Sequence, residues 1–149
     1  MLERLRRLLP GLWAGLLLCV ALLATPAPFA TLVQADAARV VARLLAQEAY
    51  TSLALGVLML VLERLVARQA AGRALGRQFT IGMVLSLGTL FCTVAGYFAM
   101  QPMMAAAKAG QGSLSFAQLH AVSALFYIVK TALVLALAWR VVSSPSPRA

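Results

Sequence analysis

With 149 residues, 62% of them hydrophobic and 11% charged, and a mean hydropathy of +0.90, this chain has too little polar surface for a soluble domain of its size. The formal net charge of +9 invites a nucleic-acid partner, but the basic residues sit at the ends of apolar stretches and form no stripe among stacking aromatics. No nucleic acid is expected, and the lipid bilayer is the expected solvent.

Four apolar stretches follow one another: Leu9 to Thr25, Leu44 to Leu62, Phe79 to Met100 and Phe116 to Val142. About 20 apolar residues of helix cross a hydrocarbon core, so each is long enough to span. The expected fold is all-α, an integral membrane bundle of four transmembrane helices filling residues 1–149 as one domain. Arg4, Arg6 and Arg7 before Gly11 to Ala24 also have the pattern of a secretory signal. A cut after Ala27 would leave Pro28 just past the bond, which suits the peptidase poorly, so a retained first helix is expected. Gly11 and Gly15 are spaced for close helix packing.

Pro26 and Pro28 cannot continue a regular helix, which must bend or stop there. Beyond them Val33, Ala37, Val40, Val41, Leu44 and Leu45 recur at helical spacing, with Gln34, Asp36, Arg39 and Arg43 on the other side. This predicts a helix that starts near Ala37 with Asp36 as its N-cap, lies partly in the outer interface and leads into the second span. Glu48, Ser52, Gly56 and Met59 share one face of that span. A basic loop, Glu63 to Gln78, carries Gly72 and Gly76 as breakers.

On the third helix Gly82, Ser86, Thr89, Thr93, Gly96 and Met100 form one stripe of small or hydroxylated residues, which is expected to face protein. The loop Gln101 to Ser115 holds Pro102, Gly110 and Gly112, and its Ser113-Leu114-Ser115 edge offers an N-cap for the last helix. On that helix His120, Ser123, Tyr127, Lys130 and Thr131 occupy an arc of roughly 100°. Polar groups in hydrocarbon are costly and face a bundle interior or a wet cavity. The tail, 143–149, is disordered by composition.

Orientation follows from charge. With the N-terminus inside, nine basic residues fall inside (Arg4, Arg6, Arg7, Arg64, Arg68, Arg73, Arg77, Arg140, Arg148) and three outside (Arg39, Arg43, Lys108). Both termini are therefore expected to be cytoplasmic.

The expected polar interior comprises Glu48, Ser86, Thr89, His120, Ser123, Tyr127 and Lys130, and the expected packing positions are Gly11, Gly15, Gly82, Ser86, Thr93 and Gly96. Counting from the edge of its apolar stretch places Glu48 near the outer boundary at the depth of His120, which predicts a contact between them. Lys130 is then too deep for any acid, and its amine is expected to reach Tyr127, Ser86, Thr89 or Thr93, or water. Met100, Met103 and Met104 with His120 form a candidate soft-metal site, since thioethers select Cu(I), although methionine is also ordinary apolar filler. Cys19 and Cys92 lie in different spans and are expected as free thiols. One histidine and a single interior carboxylate supply no triad and no haem ligand pair, so neither an enzyme nor a cofactor is expected.

Gly11-Leu-Trp13-Ala-Gly15, Pro26-x-Pro28-Phe29-Ala30, Leu45-Ala-Gln-Glu48-Ala-Tyr50, Cys92-Thr-Val-Ala-Gly96-Tyr97-Phe and Leu119-His120-Ala-Val-Ser123 occur in that order. Together they resemble bacterial members of the transmembrane protein 205-like family, a domain of unknown function with four membrane helices. Ala121 stands where members often carry glycine after the histidine. The resemblance implies the fold and a bacterial inner membrane. It implies no established chemistry, although eukaryotic relatives are linked to tolerance of platinum drugs. Three roles stay open: a small-solute or ion handling protein, an accessory subunit of a larger membrane complex, and a soft-metal tolerance protein. A homo-oligomer or a membrane-protein partner is expected.

Overall fold

A computed structural model describes residues 2–71 and 79–143, and among these every regular element is helical. Helix α1, Leu2–Cys19, passes through a π turn, Val20–Ala24, to a short α2, Ala27–Thr31. The long α3, Gln34–Ala71, follows. Helix α4, Ile81–Thr93, runs through a second π turn, Val94–Ala99, into α5, Met100–Lys108, and α6 is Phe116–Ser143. Four helical runs, Leu2–Thr31, Gln34–Gln69, Ile81–Lys108 and Phe116–Ser143, are long and apolar enough to cross a membrane. A helix satisfies its own backbone hydrogen bonds, as a chain in hydrocarbon must. The outer surface agrees, with Leu12, Ile81, Phe91, Ile128 and Trp139 all exposed. This is the build of a multi-pass membrane protein.

The elements run further than hydropathy predicts. Helix α3 begins at Gln34, so Asp36 lies in its first turn, paired with Arg39, and is not the N-cap. Its 38 residues make a rod of about 57 Å at 1.5 Å per residue, and Glu63 to Ala71, expected as loop, continue it. Gln101 to Lys108, also expected as loop, belong to α5 because the run Met103-Met104-Ala105-Ala106-Ala107 consists of strong helix formers. Each π turn stands just before prolines, Pro26 and Pro28 in one case and Pro102 in the other, where the α-helical ladder must give up a donor. Ser115 caps α6 as expected: its hydroxyl accepts from Gln118 N (3.3 Å), while its own N–H donates to Gln118 Oε1 (2.9 Å). Gly72, Gly76 and the tail from Ser144 lie outside the described residues.

In cross-section α1 and α4 each pack against both α3 and α6, while α3 and α6 stand diagonally opposite, with no close main-chain approach among the described residues. The middle of the bundle is an apolar cluster of Trp13, Ala14, Leu17, Met59, Leu62, Val134 and Leu137. Polar groups lie on either side of it along the bundle axis.

Candidate functional site

Glu48 and Lys130 meet across the diagonal. Each lies fourteen residues beyond the first residue of its helix, Gln34 or Phe116, hence about 21 Å along at 1.5 Å per residue. The Lys130 amine donates to both carboxylate oxygens of Glu48, at 2.7 and 2.9 Å, and the two residues are 3% and 5% exposed. Ser52, one turn beyond Glu48, donates its hydroxyl to Glu48 Oε1 (2.5 Å), and Trp13 Nε1–H on α1 donates to Ser52 Oγ (3.0 Å). The amine also stands 4.6 Å from the centre of the Tyr127 ring. Three helices thus share one polar chain running Trp13, Ser52, Glu48, Lys130.

This corrects two expectations. Glu48 does not contact His120, because α3 begins further from Glu48 than its apolar stretch suggests, which carries the carboxylate down to the lysine. Lys130 does not turn to the small-residue stripe, because those hydroxyls are occupied along their own helix. Ser86 donates to Gly82 O (2.8 Å), Thr89 to Ser86 O (2.7 Å) and Thr93 to Thr89 O (2.8 Å). All three are buried, so α4 turns this stripe inward as packing surface.

The arc on α6 is divided among partners. Ser123 donates to Gly96 O (2.6 Å), inside the second π turn, and Tyr127 donates to Leu17 O (2.9 Å), just before the first. Thr131 turns back to Tyr127 O (2.9 Å). His120 is exposed and stacks on Phe116, ring centres 5.9 Å apart.

The pair forms the floor of a cavity of about 880 Å³ at the end of the bundle away from Leu2 and Ser143. Tyr97, Met104, Lys108, Phe116, His120 and Tyr127 are among its lining groups. The structure therefore brings Glu48, His120, Ser123, Tyr127 and Lys130 to one space, with Ser86 and Thr89 outside it. The methionines do not converge: Met104 is buried against the cavity, Met103 is exposed, and Met100 is half-buried without lining the space. Cys92 lines the cavity as a free thiol, and Cys19 is exposed.

A second ionic cluster, missed in the sequence, closes the opposite end. Glu63 on α3 is 2% exposed and accepts from Arg6 on α1 (3.0 Å), Thr80 at the N-cap of α4 (3.2 Å) and Arg140 on α6 (3.5 Å). Arg6 also donates to Glu3 (2.7 Å), which Arg7 reaches as well (3.2 Å). Gly82 makes room for this carboxylate, since a Cβ there would collide with Glu63 and Arg140. Gly96 admits Phe126 in the same way. Gly11 and Gly15 differ: nothing lies within 4 Å of where their Cβ atoms would stand, and both face outward. They are not packing positions inside this bundle.

No curated protein and no solved structure matches the chain. Residues 8–113, well over half of the chain, match the family described as a domain of unknown function, DUF4149, and the chain belongs to that family.

Proposed function

We propose that this is a four-span protein of the bacterial inner membrane, both termini in the cytoplasm, that handles a small solute through the cavity floored by Glu48 and Lys130. The buried pair carries the reading. Two charges taken from water into a bundle of this kind are offset by their mutual attraction only when the geometry is good, and an apolar replacement is often as stable or more so. A charged pair that stability alone does not demand, set where a solute can reach it, is suited to exchange its partner for a proton or a ligand. The nine-to-three excess of basic residues supports the orientation, and the resemblance to transmembrane protein 205-like proteins supports the same placement. No catalytic step is assigned to the site.

Purified protein in proteoliposomes loaded with a pH-sensitive dye, challenged in turn with weak acids, amines and salts, should show protein-dependent flux. The charge-free double variant Glu48→Gln/Lys130→Met should lose it while remaining folded. Full flux in that variant would make the pair structural. Orientation is tested separately by labelling single cysteines after removal of Cys19 and Cys92. A cysteine at Gly110 should react with outside reagents and one at Ala71 should be protected.

An accessory role has one observation in its favour, the open Gly11 and Gly15 face of α1, which leaves room for another helix. Cross-linking from Leu12→Cys in native membranes would capture a second copy or a partner if that face is used.

A further inference from the structure

We propose that the occupant of the cavity is a single-chain anionic amphiphile of the fatty-acid class, its chain lying in the cavity and its carboxylate at the rim. This deepens the solute-handling reading and rests on it.

Charge selects the head group. Of the cavity's lining residues, Glu48 and Lys130 neutralise one another at the floor. The one remaining formal charge is Lys108, at the end of α5. Its amine lies 4.7 Å over the Phe116 ring and has no carboxylate partner among the described residues. His120 stacks on the same ring and also lines the cavity, so a cation and an imidazole stand at one edge. A carboxylate fits there, and a cationic head group would meet a like charge.

The walls select the body. Between rim and floor Ala38, Val41, Leu45 and Ala124 present an apolar wall that suits an alkyl chain, and the hydroxyls of Thr93, Ser123 and Tyr127 among the lining groups already donate to Thr89 O, Gly96 O and Leu17 O. The volume of about 880 Å³ lies within the range of roughly 300–1,000 Å³ that encloses drug-sized ligands. That accommodates one chain with its head group, whereas a two-chain phospholipid would leave much of itself outside.

Trp13 provides the test, because its indole donates to Ser52, which donates to Glu48, and so senses the floor. In Trp139→Phe protein, held in phosphatidylcholine nanodiscs, 12-bromododecanoate should quench Trp13 saturably. 12-Bromododecanol and 12-bromododecyl-trimethylammonium should give only the linear quenching of membrane partition. Lys108→Gln, at an exposed position, should raise the Kd for the carboxylate by about tenfold or more, as loss of one charge-assisted hydrogen bond implies. Tighter binding of the ammonium, equal binding of the alcohol or an unchanged Kd in Lys108→Gln would overturn the anionic head group. A phospholipid retained in native mass spectrometry and displaced by none of the three probes would overturn the single-chain occupant. The flux assay judges solute handling independently, so a cationic or two-chain occupant leaves that reading standing.

Discussion

Two ionic sites cross the same bundle, and they are built differently. Around Glu63 the cations outnumber the carboxylate: Arg6 and Arg140 converge on it with Thr80, Glu3 draws on Arg6 from the other side, and Gly82 leaves space for the group. The Glu63 side chain is as buried as that of Glu48, at 3% against 4%, but the groups around it are partly open, Arg140 at 32% and Glu3 at 41%. All four membrane-length runs contribute to it, at the end where the chain begins. Glu48 and Lys130 make a one-to-one pair, each side chain 4% exposed, at the floor of a cavity. The first arrangement closes an end of the bundle near water and head groups, where surplus charge is tolerated. The second holds an exactly compensated charge at depth, beside a space that a ligand can enter. Numbers of partners and access to water separate a fastening from a site.

The largest test of that contrast removes one half of the deep pair. Lys130→Met leaves Glu48 buried with only Ser52 beside it, and breaking a buried pair costs about 3–5 kcal/mol. Adding Glu48→Gln should return stability to the wild-type level or exceed it by about 1–4 kcal/mol, because neither charge then has to be desolvated. Thermal unfolding of the wild type, both single variants and the double in detergent gives the coupling energy directly. A neutral Lys130→Met would mean that the pair does not form.

The reason this pair escapes a sequence reading is geometric. The four spans, the inward stripe from Gly82 to Gly96, the Ser115 cap and the burial of Lys130 all follow from hydropathy and from a period of 3.6 residues. Depth does not, because the edges of an apolar run do not mark where its helix begins and ends. Helix α3 continues past both edges of its run, from Gln34 to Ala71, so Glu48 sits deeper than its neighbours in sequence suggest. Ser123 and Tyr127 read as interior polar groups, yet their carbonyl partners, Gly96 inside one π turn and Leu17 just before the other, lie on other helices where no periodicity points. Arg6 and Glu63 read as boundary charges, and only the folding together of α1, α3 and α6 turns them into a cluster. Local spacing reports which face a residue takes, and the partner across the bundle depends on where the helices begin.

A smaller effect is expected at the other site. Glu63→Gln removes a carboxylate that accepts from three groups, but Arg6 keeps Glu3 and the surroundings are wetter. Loss of charged hydrogen bonds of this kind amounts to about 1.5–3 kcal/mol. Salt should sharpen the comparison: raising ionic strength to 1 M, where the Debye length is about 3 Å, weakens pairs with an open member, as Arg140 with Glu63 and Arg6 with Glu3, and leaves Glu48 with Lys130 nearly untouched. Wild-type protein and the Glu48→Gln/Lys130→Met variant should therefore lose similar stability in high salt, while Glu63→Gln should lose less. Equal salt sensitivity in all three would remove the distinction between the two sites.

The last comparison uses the glycines, where the effects are smallest and their signs differ. Gly82→Ala places a methyl group against the Glu63 carboxylate and Arg140, and overpacking of this kind costs about 1–3 kcal/mol. Gly11→Ala and Gly15→Ala meet nothing in the bundle and relieve the backbone entropy of a helical glycine, so each should stabilise by roughly 0.5–1 kcal/mol. Both measurements refer to the isolated chain. If α1 instead packs against a second copy or another protein in the membrane, its glycines are close-approach positions after all, and Gly15→Leu should abolish that assembly with the monomer's unfolding midpoint unchanged or raised. Native mass spectrometry beside thermal unfolding separates the cases. Loss of monomer stability in Gly15→Ala would place a neighbour on this face within the fold itself, whereas loss of assembly alone would place it outside, and no change in either would leave the face to lipid.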